Sequence, residues 1–170
     1  MAARSGRATP PRGVRLAEAV EESIVLALFD LSNHLLRRGE TLAATAGLTT
    51  QEWLVLLQVA KDPNFPRSSR TLAGVVASDI AANRSVSRAN VSVITSRLKR
   101  RGLIREQRDE ADRRLRYLSI TAKGRKLVAM LEPSRRAANR RLLGPISAAD
   151  RARFLRILRT CLRVLGAGSR

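Results

Sequence analysis

The chain has 170 residues, 44% of them hydrophobic, 28% charged and 3% aromatic. That composition excludes a disordered protein and asks for one domain, or one with helical extensions, around a core of Leu, Val, Ile and Ala. Lys and Arg number 33 against 14 Asp and Glu, a formal charge of +19. An ordinary solubility charge for a small domain is about 2–8, so an anionic partner is expected, nucleic acid first and an acidic membrane surface second.

Met1 to Gly13, "MAARSGRATPPRG", reads as a basic disordered tail. From 14 to 46 a helix is predicted, with Leu16, Val20, Ile24, Ala27, Leu28, Leu31 and Leu35 at steps of three or four. It is too long to be satisfied by a small core, so one end is expected to pack on another subunit. Gly47 ends it. Thr49 and Glu52 form a capping box for "EWLVLLQVAK", which stops before Pro63. "DPNFPRSSR" is a loop, and Ser78 is the expected cap of a short helix over "SDIAANRS".

Ser87 caps the next helix, which Gly102 closes. The period then shortens. "LIREQR" and "LRYLSI" are predicted as two strands, joined by the charged tip "DEADRR". Thr121 caps a helix that Pro133 is expected to kink or break. Ser147 and Asp150 open the last helix, whose stripe is Phe154, Leu155, Leu158, Cys161, Leu162 and Leu165, with Gly166 and Gly168 as its end. No run reaches the roughly 18 apolar residues of a membrane span. The N-terminus lacks the apolar stretch of a secretory signal, and the expected compartment is the cytoplasm.

Residues 77–94 carry the functional signal. Ile80 and Ala81 lie on one short helix, a tight turn follows near Val86, and Val91, Ile94 and Leu98 share one face of the next helix. This is the spacing of a helix-turn-helix. Pinning those three inward turns Ala89, Ser92, Val93, Ser96 and Arg100 outward, flanked by Arg88, Asn90 and Arg97. Arg suits guanine, Asn adenine, Ser either, and Ala or Val a thymine methyl. The helix start at Ser87 also aims backbone N–H groups at phosphate. The glycine often found in such a turn is missing, and Ser85 stands there.

A two-stranded basic hairpin directly after a helix-turn-helix makes a winged helix. Its tip can lay Arg113 or Arg114 into the neighbouring minor groove. Asp112 is unsuited to phosphate and is expected to orient an arginine.

The stretch "SDIAANRSVSRANVSVITSRLKRRGLIREQRDEADRRLRYLSITAKG" resembles the core of the multiple antibiotic resistance regulator (MarR) family. Asp112–Arg113–Arg114, Leu118, Thr121 and Gly124 resemble its wing signature, with Ile120 in place of the usual Leu. The longer loop before Thr71 and the missing turn glycine depart from the pattern. The resemblance implies a homodimer with interlocked terminal helices, Arg114 in the minor groove braced by Asp112, repression of nearby genes, and release by a small organic or anionic effector. Thiol-sensing members carry their cysteine near the N-terminus, and none stands there here.

His34 and Trp53 are the candidate lining of an effector pocket, although a packed histidine and a core tryptophan are the commoner fates of such residues. Cys161, the only cysteine, is expected to be buried. It excludes an internal disulfide or a cysteine-rich metal site. No catalytic constellation, metal site or cofactor motif is present, so no enzyme is expected.

The expected architecture is mainly α with a small β-hairpin. A tail (1–13) and a dimerisation helix (14–46) precede a winged helix-turn-helix (47–121), and C-terminal helices (122–166) complete the dimerisation domain. Leu16, Val20, Leu158, Leu162 and Leu165 are the expected dimer interface. The expected function is a sequence-specific regulator, a repressor, binding double-stranded DNA as a homodimer. The rival is a sequence-indifferent, architectural nucleic-acid binder.

Overall fold

The computed structural model describes residues 12–63, 74–84, 86–110, 112–113 and 115–167. Most of the expected tail, the loop 64–73, Ser85 and Arg114 therefore lie outside the described residues. The elements run α1 (Arg12–Ala44), α2 (Thr50–Val59), β1 (Val75–Val76), α3 (Ala77–Arg84), α4 (Arg88–Arg100), β2 (Ile104–Arg108), β3 (Arg116–Ile120), α5 (Ala122–Leu143) and α6 (Ala148–Ala167). They divide into two units, residues 1–50 and 51–170.

The first unit is α1 and the turn after it. Its helix ends through Gly47, whose φ of 62° is a left-handed conformation that glycine adopts without strain. The Leu48 N–H returns to the Ala43 carbonyl at 3.0 Å. Glu40 then reaches forward: its Oε2 accepts from the Thr50 N–H at 3.0 Å and from the Thr50 hydroxyl at 2.8 Å. These bonds, backbone first, hold the Glu40 carboxyl below its ordinary range. Sequence reading placed the α2 cap at Thr49 and did not find Glu40.

The second unit has a closed core. Val55, Leu56, Val59, Val75, Ile80, Val91, Leu98, Leu103, Ile104, Leu118 and Leu131 are each at most 2% exposed. Helices α2 to α5 and all three strands contribute to it.

The sheet is antiparallel in the order β1-β3-β2. The two strands of the predicted hairpin pair in register from Ile104↔Ile120 to Arg108↔Arg116. The third strand corrects the sequence reading, which expected two. β1 is two residues long, too short to show a period, and it pairs Val75 with Leu118. Gly74 permits the approach, because a Cβ there would lie 2.7 Å from the Leu118 carbonyl oxygen.

Three boundaries also differ. Ser78 lies inside the first turn of α3 rather than before it. Helix α5 continues through Pro133 without a break. Proline forfeits the bond to the carbonyl four residues back, that of Ala129, and both residues lie on an exposed face. Helix α6 also passes through Gly166 to Ala167.

Candidate nucleic-acid interface

The turn between α3 and α4 is closed by the Val86 N–H donating to the Ala81 carbonyl at 3.2 Å. Ser87 then caps α4 as expected, its hydroxyl accepting from the Asn90 N–H at 3.1 Å. Val91, Ile94 and Leu98 are 1%, 5% and 0% exposed, with Thr95 buried beside them. The opposite face is bare: Ser87, Arg88, Ala89, Asn90, Ser92, Val93 and Arg97 are exposed and Ser96 is half-buried. Arg97 leans toward Glu52 of α2, Nη1 to Oε1 at 3.8 Å, with its side chain still 53% exposed. A pair so long and so wet is weak and leaves the guanidinium able to turn outward.

The C-terminus of α4 fixes where the wing begins. The Gly102 N–H donates to the Lys99 carbonyl at 2.8 Å and the Leu103 N–H to the Leu98 carbonyl at 3.0 Å. With Gly102 at φ 67°, this is the Schellman arrangement, and the buried pair Leu98 and Leu103 supplies its apolar contact. Thr121 staples the far end of the hairpin to the same turn. Its hydroxyl donates to the Gly102 carbonyl at 2.7 Å and accepts from the Gly124 N–H at 3.1 Å. A Cβ on Gly124 would sit 2.2 Å from the Leu103 carbonyl oxygen. The Thr121 and Gly124 pattern is thus the joint between wing and α5.

At the tip, Asp109 Oδ1 accepts from the Asp112 N–H at 2.8 Å, and the Leu115 N–H donates to the Asp112 carbonyl at 2.9 Å. Asp112 and Arg113 are exposed. The backbone of Asp112 thereby shapes the loop. Arg114 lies outside the described residues, and the proposed brace between the two side chains with it.

Three further side chains belong to this face. Glu106 of β2 takes Lys99 of α4 on Oε2 and Arg116 of β3 on Oε1, the latter at 3.4 Å. The hydrogen bond from Lys99 comes first among the causes that hold the Glu106 carboxyl below its ordinary range, against a partial burial that raises it. With Arg88, Ser92, Ser96 and others they line a cavity of about 290 Å³ between helix and wing. Sequence reading missed all three. Strand alternation carried the signal: Ile104 and Glu106 share a face of β2, and Leu118 and Arg116 the matching face of β3.

Outside this face the expectations divide. Trp53 is 7% exposed, in the core of the second unit. His34, in the first unit, is exposed on α1 and not packed. Neither lines the cavity beside α4 or the other one described, between residues 60–63 and α5. Cys161 is exposed in the chain, contrary to the expected burial. The apolar face that carries it is uncovered too: Leu162 and Leu165 are 60% and 69% exposed, and Val20 on α1 is 58%. Leu158 is half-buried, and the Leu16 side chain lies outside the described residues.

Among the described residues no group of three His, Cys, Asp or Glu side chains is placed to hold a metal. No described helix is long and apolar enough to cross a membrane.

Comparison with known proteins adds to this geometry. Residues 46–115 match the profile described as the MarR family. The transcriptional activatory protein BadR of Rhodopseudomonas palustris is 33% identical over 125 residues, spanning 72% of this chain and 67% of its own length. Among solved structures, the Staphylococcus aureus MepR–DNA complex superposes with a TM-score of 0.68 at 18% identity, over 82% of this chain and 94% of that one. CouR of Rhodococcus jostii, bound to p-coumaroyl-CoA, gives 0.68 at 19% identity, over 86% and 93%. The winged helix built from α3, α4 and the hairpin, together with these matches, establishes that the chain belongs to the MarR family of DNA-binding transcriptional regulators.

Proposed function

We propose that two copies of the chain act as a homodimer on a pseudo-palindromic DNA site. Each α4 reads a major groove through Arg88, Asn90, Ser92, Ser96 and Arg97, and each wing lays Arg113 and Arg114 along the adjacent minor groove. The observation that carries this reading is the sidedness of α4, with apolar anchors at most 5% exposed and an opposite face of Arg, Asn and Ser in solvent. The uncovered apolar faces of α1 and α6 support a second copy as their cover. Half-sites about 34 Å apart, one helical turn, follow from such two-fold symmetry.

A dimer seated on a promoter excludes polymerase, so repression is the first reading of its action. Activation is the second, favoured by the name of the 33%-identical relative. A reporter carrying the chain's own upstream region separates them: deletion of the gene raises expression under repression and lowers it under activation. The p-coumaroyl-CoA held by CouR supports a small organic acid or its thioester as effector.

Replacing Arg114 with Ala tests the wing. Affinity for a selected duplex should fall severely while the sedimentation coefficient stays that of the dimer. Unchanged affinity would remove the wing from the interface.

A further inference from the structure

We infer that Glu106 is a positioning residue for DNA reading: its carboxylate sets the angle between the recognition helix and the wing. The inference rests on the reading that α4 and the wing engage one duplex. A winged helix meets two grooves at once, so the angle between its two probes has to match the spacing of those grooves. The base of the hairpin is fixed by apolar burial, with Leu103, Ile104 and Leu118 at most 2% exposed. Further out that burial ends. On the face that continues from Ile104 the next β2 side chain is Glu106, and on β3 the face passes from Leu118 to Arg116.

At this point one carboxylate joins three elements. Lys99 belongs to the last turn of α4, Glu106 to β2 and Arg116 to β3. Glu106 keeps 22% of its side-chain exposure, against 36% for Lys99 and 53% for Arg116. The carboxylate is the sheltered partner and the cations are the wet ones. A carboxylate on a face that meets phosphate is unfavourable for binding by charge alone. Its place here is accounted for by the two cations it holds. Without it, Lys99 and Arg116 repel each other and the hairpin is tied to α4 only at its base.

The charge-neutral variant Glu106→Gln separates positioning from simple electrostatics. The probes are a duplex selected by the wild-type protein from a random library and an unrelated duplex of equal length. Removing a negative charge should leave binding to the unrelated duplex equal or tighter. Binding to the selected duplex should weaken about tenfold, the worth of one charge-assisted bond. The ratio between the two duplexes therefore falls, with the salt slope on the selected duplex unchanged. Glu106→Asp, which keeps the charge, should keep most of the ratio. If both affinities rise together, or the ratio stays as in wild type, the inference is wrong.

A DNA-free readout accompanies this one. Spin labels at Val93 and Arg108, in a Cys161→Ser background, report the distance between α4 and the hairpin. The distribution should be narrow in the parent and broad in Glu106→Gln; identical distributions would overturn the inference. If the wild-type protein selects no sequence, the proposed function fails, and the label distances still decide the role of Glu106.

Discussion

From Ala77 to Ile120 the chain closes its own core; along α1 and α6 it does not. Val75, Ile80, Val91, Leu98, Leu103, Ile104 and Leu118 are all at most 2% exposed. On α1, Ile24 and Phe29 are 55% and 65% exposed, and on α6 Leu162, Val164 and Leu165 are at least 60% exposed. Both regions have helical apolar periodicity. The difference is that the winged helix finds its counter-surface within the same fold, whereas the terminal helices present stripes that one chain leaves uncovered. A large exposed apolar face on a globular chain marks an interaction surface. The reading part is therefore expected to fail by unfolding, and the terminal helices by losing their partner.

The largest effect is expected in the closed core. Leu98→Ala removes a fully buried side chain from beneath the recognition helix and should cost about 2–5 kcal/mol, measured by denaturant unfolding. A cost below about 1 kcal/mol would mean that this region is not closed.

Next comes the open stripe. Leu162→Glu together with Leu165→Glu should weaken self-association by about 100-fold or more, since each leucine forfeits about 1.5–3 kcal/mol of burial. Sedimentation should show a monomer, and circular dichroism a retained helical content. A dimer that survives both changes would remove α6 from the interface.

Smaller effects distinguish residues within the reading face. Arg88→Ala should lower the slope of log affinity against log salt by about 1 if the residue meets a phosphate. Gly102→Ala should cost about 1 kcal/mol. A Cβ there would touch nothing within 4 Å, so its left-handed φ of 67° is the whole penalty.

The smallest effect is in the first unit and depends on pH. The Glu40 carboxyl is held below its ordinary value of 4.5 by bonds from Thr50. Its contribution is in place above about that pH and is lost as pH falls through the lower folded value. Glu40→Gln should flatten the acid limb of the stability curve and leave neutral stability nearly unchanged. An unaltered acid limb would remove Glu40 as the cap of α2.

What could be read from the sequence follows the same division. The anchors Val91, Ile94 and Leu98, the Ser87 cap, the Gly102 stop and the hairpin strands were legible because each is a local pattern with a local cause. Thr121 and Gly124 were legible as a family signature, and the structure supplies their reason in the Gly102 and Leu103 carbonyls. β1 was not legible, because two residues carry no period and their pairing depends on Leu118, more than 40 positions away. Glu40 was missed because its partner Thr50 lies ten positions on, beyond any capping rule. Glu106 was missed because its meaning comes from Lys99 in another element. Cys161 was misread because its stripe was assumed to be covered by its own chain.

The central claim is that the exposed face of α4 reads DNA sequence in two-fold symmetric pairs. The most direct measurement is selection from a random duplex library with the purified protein, followed by anisotropy on the enriched and on an unrelated duplex at physiological salt. The account predicts an inverted repeat with half-site centres about one helical turn apart, bound at least about 10³-fold more tightly than the unrelated duplex. A library with no enriched motif, and equal affinities that collapse together as salt rises, would contradict it.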